Sequence, residues 1–335
     1  MTTTTLPATM KAIQQSELGG VDVLKLRDLP LPTIADDQVL VQNAYTGINF
    51  IDTYFRTGLY KLPLPFVPGR EAAGRVVQVG ARVTAFRPGD RVVYMHTDTY
   101  AEYTAASTET MQVVPAGVSL RDAVAPYLQG LTAVALVRFA TFNVAAGQTA
   151  LVTAAAGGVG RLLCQLLAKL GVTVIGTVST EAKAAVAKAA GATHVLVQRV
   201  GYADAVLQLT GGRGVDIAYD GVGAATWEAT LASMAAFGQV LSFGNTTGAV
   251  PPVPLTVLAA KTLRVSRPAL NAILAASASV REQVTAEYMM LLSDGTFTTM
   301  VTEYPLADAA KAQSDLESGA TQGKLVLKVQ DIVEA

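Results

Sequence analysis

The sequence Leu151–Gly171, LVTAAAGGVGRLLCQLLAKLG, combines a short apolar strand, a turn of small residues and an apolar helix. We predict the strand over Ala150–Thr153, and leucines then recur at helical spacing until Gly171 ends the helix. The turn AAGGVG, residues 155–160, is a GxGxxG fingerprint in which alanine replaces the first glycine. Such a turn brings backbone N–H groups to a pyrophosphate at the positive end of a helix.

The next predicted strand, Thr173–Val178, completes a strand–turn–helix–strand unit, which favours a dinucleotide site over an ordinary tight turn. Ala-rich helices are predicted at Glu181–Ala190 and Thr226–Ala236. Alternating strands and helices predict an α/β fold, a parallel sheet covered on both faces. The remaining strands of this region are predicted at His194–Gln198, Val215–Asp220, Gln239–Phe243 and Leu263–Ser266.

The first part of the chain, residues 11–126, is predicted to be a small β-rich, barrel-like domain. Its short strand-like runs are separated by Gly, Pro and Asp. After a helix at Glu282–Leu292, a helix at Leu306–Ser318 and a strand at Lys324–Val329 are expected to rejoin this domain. We therefore predict a first domain of residues 1–126, completed by 271–335, and a dinucleotide-binding domain of residues 127–270.

Composition narrows the possible functions. The 335 residues are 51% hydrophobic and 15% charged, with a mean hydropathy of +0.37, which indicates large buried surfaces and a subunit interface. A net charge of −1 without a Lys/Arg cluster argues against nucleic acid as a ligand. Arg161 and Lys169 interrupt the longest apolar stretch, and the N-terminus lacks the pattern of a secretory signal. These features predict a cytoplasmic protein without a membrane span.

The chain has few cysteine and histidine residues that could bind a metal. Its single cysteine, Cys164, excludes an internal disulfide and lies among leucines, as a small buried hydrophobe would. His96 and His194 are far apart in sequence. One Cys and two His do not fill a zinc site, so we predict a protein without metal.

Several motifs together identify a family. GINFIDTYFRTGLY (47–60), AAAGGVG (154–160), YDGVG (219–223) with TWE (226–228), SFGNTTGAV (242–250), SRPAL (266–270) and ATQGK (320–324) stand in that order. With them nearly the whole chain resembles the zinc-free quinone oxidoreductases of the medium-chain dehydrogenase/reductase superfamily, the group that includes zeta-crystallin. The resemblance implies a GroES-like β-rich domain, a Rossmann doubly wound parallel sheet domain, a cleft between them, and homodimers or homotetramers.

The same resemblance implies that the protein works without a catalytic metal. Where zinc-dependent relatives hold catalytic metal, this chain has Asn49, Arg70 and Leu128, which form no zinc site. Without a Lewis acid, the substrate must already be a good hydride or electron acceptor. A quinone, or an alkene conjugated to a carbonyl, meets this condition, whereas an unactivated alcohol does not.

The resemblance places polar residues of this chain beside the nicotinamide. Asn49, Asp52 and Tyr54 are the candidate catalytic residues, because donors there can stabilise charge developing on a quinone oxygen. A structural reading competes with this one. Asn49 followed by Asp52 is also the pattern of a helix N-cap with an acid in the first turn, and Asp52 with Arg56 is an i,i+4 pair.

Cofactor-binding residues follow from the motifs. Gly157, Gly158 and Val159 are predicted to cradle the pyrophosphate. Thr132 and Asn245 match family positions near the nicotinamide. Phe243 and Gly244 belong to the SFGN turn that ends the fifth strand, where ligands of open parallel sheets bind. The alternative reading of that turn is a plain strand exit.

The choice between NADPH and NADH depends on the end of the second strand. Ser179 stands where NAD enzymes usually have an acid, and Lys183 lies in the first turn of the next helix, which favours NADPH over NADH. Glu181 is the alternative partner of Lys183. Gln198 replaces a family tyrosine and Gly319 a family arginine, and Arg199 can substitute for one of them.

We therefore predict a zinc-independent NADPH:quinone reductase that passes hydride or electrons to a quinone in the cleft, by one- or two-electron transfer. One alternative is an NADPH-dependent 2-alkenal or enone reductase. An alternative of another class is a crystallin-like structural or RNA-binding protein, against which the low basic content argues.

Overall fold

The computed structural model of the protein describes residues 6–319 and 321–332. Within these ranges the strands, numbered β1 to β15, are Thr9–Gln14, Lys25–Pro30, Gln38–Gly47, Glu71–Val79, Arg91–Met95, Tyr103–Ser107, Gln112–Val113, Thr149–Val152, Thr173–Thr177, His194–Leu196, Val215–Asp220, Met234–Ser242, Arg264–Ser266, Val301–Pro305 and Lys324–Lys328. The α-helices, α1 to α10, are Phe50–Thr57, Leu120–Val124, Tyr127–Ala135, Gly158–Lys169, Glu181–Ala189, Ala203–Leu209, Trp227–Ala232, Leu270–Ala275, Ala278–Ser293 and Ala309–Ser318. The ends 1–5 and 333–335 of the predicted first domain, and Ala320 of the ATQGK motif, lie outside the described residues.

The chain divides into two compact units, residues 1–128 with 299–335 and residues 129–298. Unit 1 contains a seven-stranded, largely antiparallel sheet in the order β14-β15-β3-β4-β5-β7, with β6 also paired to β3. Strands β1 and β2 form a separate antiparallel pair. Alternate residues of β3 and β5 point into a buried core, for example Val39, Val41 and Val92. The predicted β-rich character of this region is confirmed.

Unit 2 contains a six-stranded sheet whose strands are all parallel, in the order β10-β9-β8-β11-β12-β13. Numbered from β8, this order is the one of the Rossmann dinucleotide-binding fold. Buried residues from several strands and helices form its core, among them Leu151, Ile175 and Ala218. The order of the strands confirms the predicted doubly wound fold.

Residues 271–298, predicted to complete the first domain, group instead with unit 2. Helix α9 explains this grouping, because it packs on α3 of unit 2. The Tyr288 ring of α9 lies so close to Gly130 that a Cβ on Gly130 would be 2.6 Å from the ring. Glu287 of the same helix pairs with Arg138 at 2.7 Å. The tail from residue 299 onward does rejoin unit 1, since β15 pairs with β3.

The predicted helix Thr226–Ala236 is too long at its C-terminal end. Helix α7 ends at Ala232, and β12 begins two residues later at Met234, which pairs with Val215 of the adjacent strand. Sheet pairing thus overrides the helix propensity of an Ala-rich segment. The predicted strand His194–Gln198 ends at Leu196, so Gln198 lies beyond the strand.

One helical run in the described part of the chain, Leu120–Ala140, is long and apolar enough to cross a membrane by length and composition. The sequence did not predict such a segment. Of its most apolar window, 67% is buried inside the protein, a property that core helices of soluble proteins share.

Candidate functional site

The Gly-rich turn joins β8 to α4 in a tight backbone conformation. Ala154 has a φ of 49°, in the left-handed region that alanine rarely adopts, and the Ala155 N–H donates to the Thr177 carbonyl at 3.0 Å. Helix α4 then begins at Gly158, with Gly157 as its N-cap and no side-chain cap. The first N–H groups of a helix have no acceptor within the helix.

The glycines of this turn have different structural roles. A Cβ at Gly160 would lie 2.4 Å from the Ala154 carbonyl oxygen, so glycine is needed there for the close approach of helix and strand. The Gly157 N–H already donates to the Ala154 carbonyl at 2.8 Å, whereas nothing closer than 3.1 Å would meet its Cβ. Of the predicted cradle, Gly158 and Val159 lie in the first turn of α4, whereas the Gly157 N–H is already bonded.

The carboxyl ends of β11 and β12 lie next to the end of β8, where the Gly-rich turn begins. A Cβ at Gly244 would lie 2.0 Å from the Gly221 carbonyl oxygen, so the SFGN turn and the turn after β11 touch through their backbones. The Phe243 N–H donates to the Asp220 carbonyl at 2.8 Å, and Asn245 follows, half-buried. Thr132, on α3 of the same unit, is also half-buried.

Asp220 is buried and organises this edge of the sheet. Its carboxylate accepts hydrogen bonds from the backbone N–H groups of Val222 at 2.8 Å and Gly223 at 3.1 Å. The hydroxyls of Thr226 and Thr230 donate to it at 2.8 and 3.0 Å. The Thr153 hydroxyl, at the start of the Gly-rich turn, also donates to it at 3.2 Å. Asp220 therefore holds the loop after β11 in shape and ties it to the end of β8, and it was not among the predicted site residues.

Two cations lie near each other at the end of the second and third strands of unit 2. Lys183, in the first turn of α5, is half-buried, and its pKa is lowered by burial and by the nearby Arg199. Ser179 is half-buried just before the helix, while Gln198 is exposed. Lys183 thus lies at the positive end of α5, where the like charge of Arg199 further disfavours its charged form.

In unit 1, Asn49 is the N-cap residue of α1, as the capping pattern predicts. Asp52 accepts the Asn49 backbone N–H at 2.8 Å and the Tyr100 hydroxyl at 2.8 Å, both through Oδ2. Its Oδ1 is buried and has no partner in the described residues. Burial raises the pKa of Asp52 to about 6, although these two hydrogen bonds oppose the rise.

The predicted i,i+4 pair between Asp52 and Arg56 is wrong. The Arg56 guanidinium bonds instead to Gln313 Oε1 at 2.8 Å and Glu317 Oε1 at 2.7 Å, both on α10. Helix α10, from the returning tail, offers acceptors to the face of α1 on which Arg56 is buried, so tertiary contacts replace the local pair.

The Asn49 side chain belongs to a buried cluster of charges. Its Oδ1 accepts the Lys324 ammonium at 2.7 Å, and its Nδ2 donates to Glu71 Oε1 at 2.7 Å. Lys324 and Glu71 are themselves paired at 2.5 Å, and neither side chain is exposed. The second Glu71 oxygen accepts the Leu128 backbone N–H at 2.7 Å. Asn49 is therefore held on both sides of its amide.

Arg70, just before β4, and Tyr54, on α1, are both half-buried. The Arg70 guanidinium stacks over the Phe55 ring at 3.9 Å from its centroid, and burial lowers its pKa while Asp52 opposes the change. Arg70, Phe55 and Asp52 line a small pocket together with Asp98. Tyr54 is half-buried, with its ring 5.4 Å from that of Tyr60.

No group of three or more His, Cys, Asp and Glu side chains that could hold a metal occurs among residues 6–319 and 321–332. Of the three positions compared with zinc ligands, Asn49 bonds to charged side chains, Leu128 contributes its backbone N–H, and Arg70 stacks on an aromatic ring. The predicted absence of metal stays a prediction.

Comparison with known proteins identifies the family. A family model described as an alcohol dehydrogenase GroES-like domain matches residues 35–135, and one described as a zinc-binding dehydrogenase matches residues 158–286. A probable quinone oxidoreductase of Schizosaccharomyces pombe is 40% identical over 96% of this chain and 98% of its own length. The chain belongs to the quinone oxidoreductases of the medium-chain dehydrogenase/reductase superfamily.

Solved structures of quinone oxidoreductases agree with this membership. One from Pseudomonas syringae pv. Tomato has a TM-score of 0.92 at 39% identity, covering 96% of this chain and 100% of its own. Another, from Escherichia coli and solved with NADPH, has a TM-score of 0.91 at 37% identity, covering 95% and 100%. The GroES-like and Rossmann domains implied by the motifs are confirmed.

Sequence reasoning on this quinone oxidoreductase missed Glu71, Lys324 and Tyr100. A signal existed for two of them, because Glu71 precedes a run of small residues and Lys324 precedes the apolar run LVL. A charged residue entering a buried strand needs a partner. The partner is distant in sequence, so the pair emerges only from the fold.

Proposed function

We propose that this protein is a metal-independent NADPH:quinone reductase. Its reaction consumes NADPH, a quinone and a proton and yields NADP⁺ and a hydroquinone. NADPH, when bound, supplies the two electrons as a hydride. The observation that carries the proposal is full-length similarity to quinone oxidoreductases, joined to a unit 2 whose Gly-rich turn suits a dinucleotide.

The residues of unit 2 fit NADPH. In this proposal the first-turn N–H groups of Gly158 and Val159 hold the pyrophosphate. Lys183, whose pKa is lowered by burial and by the nearby Arg199, holds the ribose 2′-phosphate together with Arg199, beside Ser179 and Gln198. Thr132 and the turn Phe243–Asn245 position the nicotinamide half. A phosphate relieves the repulsion between the two cations, which is why we favour NADPH over NADH.

On the substrate side, Asn49 and Tyr54 are the proposed contacts of the quinone oxygen. Both carry N–H or O–H donors, which stabilise negative charge as the quinone is reduced. Asp52 is only 3% exposed, and its Oδ2 accepts the Asn49 backbone N–H. We therefore assign Asp52 to holding the start of α1 in place, and we assign the proton to solvent.

We further propose a cytoplasmic homodimer without a nucleic-acid or membrane partner. Strand β13 is the last strand of the unit 2 sheet, and its three residues are exposed. Leu255, Val257 and Val265, 81%, 47% and 40% exposed, are apolar and precede or form this edge. An open apolar edge is suited to pairing with the same edge of a second copy. Light scattering on the wild-type protein and on Val265→Asp tests the proposed homodimer. A monomeric wild-type protein would refute it.

Rates of NADPH and NADH oxidation with p-benzoquinone, a naphthoquinone and a 2-alkenal test the enzymatic proposal. We expect turnover with the quinones, faster with NADPH, and slow turnover with the alkenal. Faster reduction of the alkenal would make the protein an enal reductase. NADPH binding without turnover of any acceptor would refute catalysis and leave a binding or structural role.

A further inference from the structure

The buried pair of Lys324 and Glu71 has a geometry that constrains Asn49. Lys324 is the first residue of β15 and Glu71 the first of β4, and their side chains meet at 2.5 Å with no exposure to solvent. An ammonium can only donate hydrogen bonds and a carboxylate can only accept them. Each charge is unfavourable in this place without the other.

The amide of Asn49 lies between these two charges and has one possible orientation. Oδ1 faces the Lys324 ammonium at 2.7 Å, and Nδ2 faces Glu71 Oε1 at 2.7 Å. Turning the amide over would bring N–H groups to the ammonium and an oxygen to the carboxylate. The orientation of Asn49 is therefore set by chemistry as well as by shape.

One N–H of this amide remains weakly engaged. Nδ2 carries two protons, and besides Glu71 its other contact is the Gly47 carbonyl at 3.5 Å, at the outer limit of a hydrogen bond. The direction of that N–H is fixed with the plane of the amide, and a stronger acceptor placed along it displaces only this weak contact. A cation on Oδ1 also draws electron density from the amide, which makes its N–H a better donor.

We propose that Lys324 is a positioning residue that orients and polarises Asn49, so that the second Nδ2–H is donated to the quinone oxygen on which charge develops. The inference rests on the proposed function, since it names how that site recognises a quinone. Glu71 is the second positioning residue, fixed by the Leu128 N–H at 2.7 Å. No proton leaves Lys324 or Glu71 during the reaction.

The test compares Lys324→Met, Lys324→Arg and the double variant Lys324→Met/Glu71→Gln. The double variant removes both charges, so it leaves no unpaired buried charge that could prevent folding. Lys328→Met is the matched control, because Lys328 lies on the same strand, is 44% exposed and forms a local ion pair with Asp331. For each variant, kcat and KM are measured with p-benzoquinone and with weaker, alkyl-substituted quinones, together with the Kd for NADPH.

We expect kcat to fall about tenfold in the Met variants, less than the hundredfold or more that loss of an oxyanion donor costs. The fall should be larger for the weaker acceptors, with KM and the Kd for NADPH as in Lys328→Met, and Lys324→Arg should recover part of the rate. A kcat like that of the control, or an equal fall for every quinone with weaker NADPH binding, would refute the positioning role.

A second readout does not depend on turnover. In spectra of protein labelled with ¹⁵N-asparagine, we expect the Asn49 side-chain N–H signals to lie downfield and to shift in the Met variants but not in Lys328→Met. An unchanged Asn49 signal contradicts the inference even if wild-type protein reduces no quinone. A wild type without quinone turnover but with the expected shift refutes the proposed function alone.

Discussion

Tyr100 donates its hydroxyl to Asp52 Oδ2 at 2.8 Å inside unit 1, while the other oxygen of that buried carboxylate has no partner among the described residues. Burial raises the pKa of Asp52 to about 6. The folded protein therefore binds this proton more tightly than the unfolded chain, whose Asp has a pKa of about 3.9. The group favours the folded state below about pH 4, and that contribution is lost as the pH rises through 6.

Asp52→Asn removes this pH dependence. Between pH 4 and pH 7, the free energy of unfolding of the variant should gain about 2 kcal/mol relative to wild type, because most of the difference of about two pKa units is titrated in this range. Urea unfolding at both pH values measures it, with the exposed Asp37→Asn as control. A wild-type–variant difference that is the same at both pH values contradicts the prediction.

The two cations of unit 2 should separate NADPH from NADH. In Lys183→Ala or Arg199→Ala we expect the Kd for NADPH to rise about tenfold, about 1.4 kcal/mol, because a contact to the 2′-phosphate is lost. The Kd for NADH should be unchanged. Fluorescence titration measures both, and Lys188→Ala, on the exposed end of the same helix, is the control. An equal rise in the Kd for NADPH and for NADH would contradict the assignment of Lys183 and Arg199 to the 2′-phosphate.

The Gly-rich turn should respond differently to substitution at Gly160 and at Gly157. Gly160→Ala places a Cβ 2.4 Å from backbone, so we expect a loss of about 2 kcal/mol or more in the free energy of unfolding. Gly157→Ala meets nothing closer than 3.1 Å and has a φ of −75°, so its stability should stay within about 1 kcal/mol of wild type.

Binding of NADPH is the second property in which Gly157→Ala is tested. Gly157→Ala fills the space that the pyrophosphate needs, and we expect its Kd for NADPH to rise at least tenfold. Thermal unfolding with and without NADPH measures stability and affinity together. If Gly157→Ala binds NADPH as wild type does, the pyrophosphate does not lie against this turn.

Asp220 should matter for stability. Asp220→Ala removes the acceptor of two backbone N–H groups and a hydrogen-bond partner of the Thr153, Thr226 and Thr230 hydroxyls, and we expect a loss of at least about 3 kcal/mol in the free energy of unfolding. Thr226→Val removes a single donor and should cost about 1 kcal/mol. Denaturant unfolding measures both. Equal, small effects would mean that water replaces the carboxylate.

Local patterns predicted much of this fold. The apolar run before the Gly-rich turn and the helix to Lys169 are periodic, and the parallel order around β8 follows from their alternation. The ends of elements were less predictable where pairing decides them, as at Met234, which joins β12 against Val215. Residues 271–298 carry no local signal of the unit they pack on.

The site was predicted only in part for the same reason. The cap at Asn49 and the cations near Ser179 lie within short segments, and the sequence shows them. Asn49 reaches Lys324 across 275 positions and Glu71 across 22, and Arg56 finds Glu317 across 261. Such pairs depend on the return of the tail to unit 1, which no short motif encodes.

The most direct test of metal-independent transfer to a quinone is the rate of NADPH oxidation with p-benzoquinone by chelator-treated protein of measured metal content. We predict full activity without bound metal and hydroquinone formed in equal amount to the NADPH consumed. Activity that disappears with the metal and returns with zinc, or a protein that oxidises no NADPH when a quinone is offered, would contradict it.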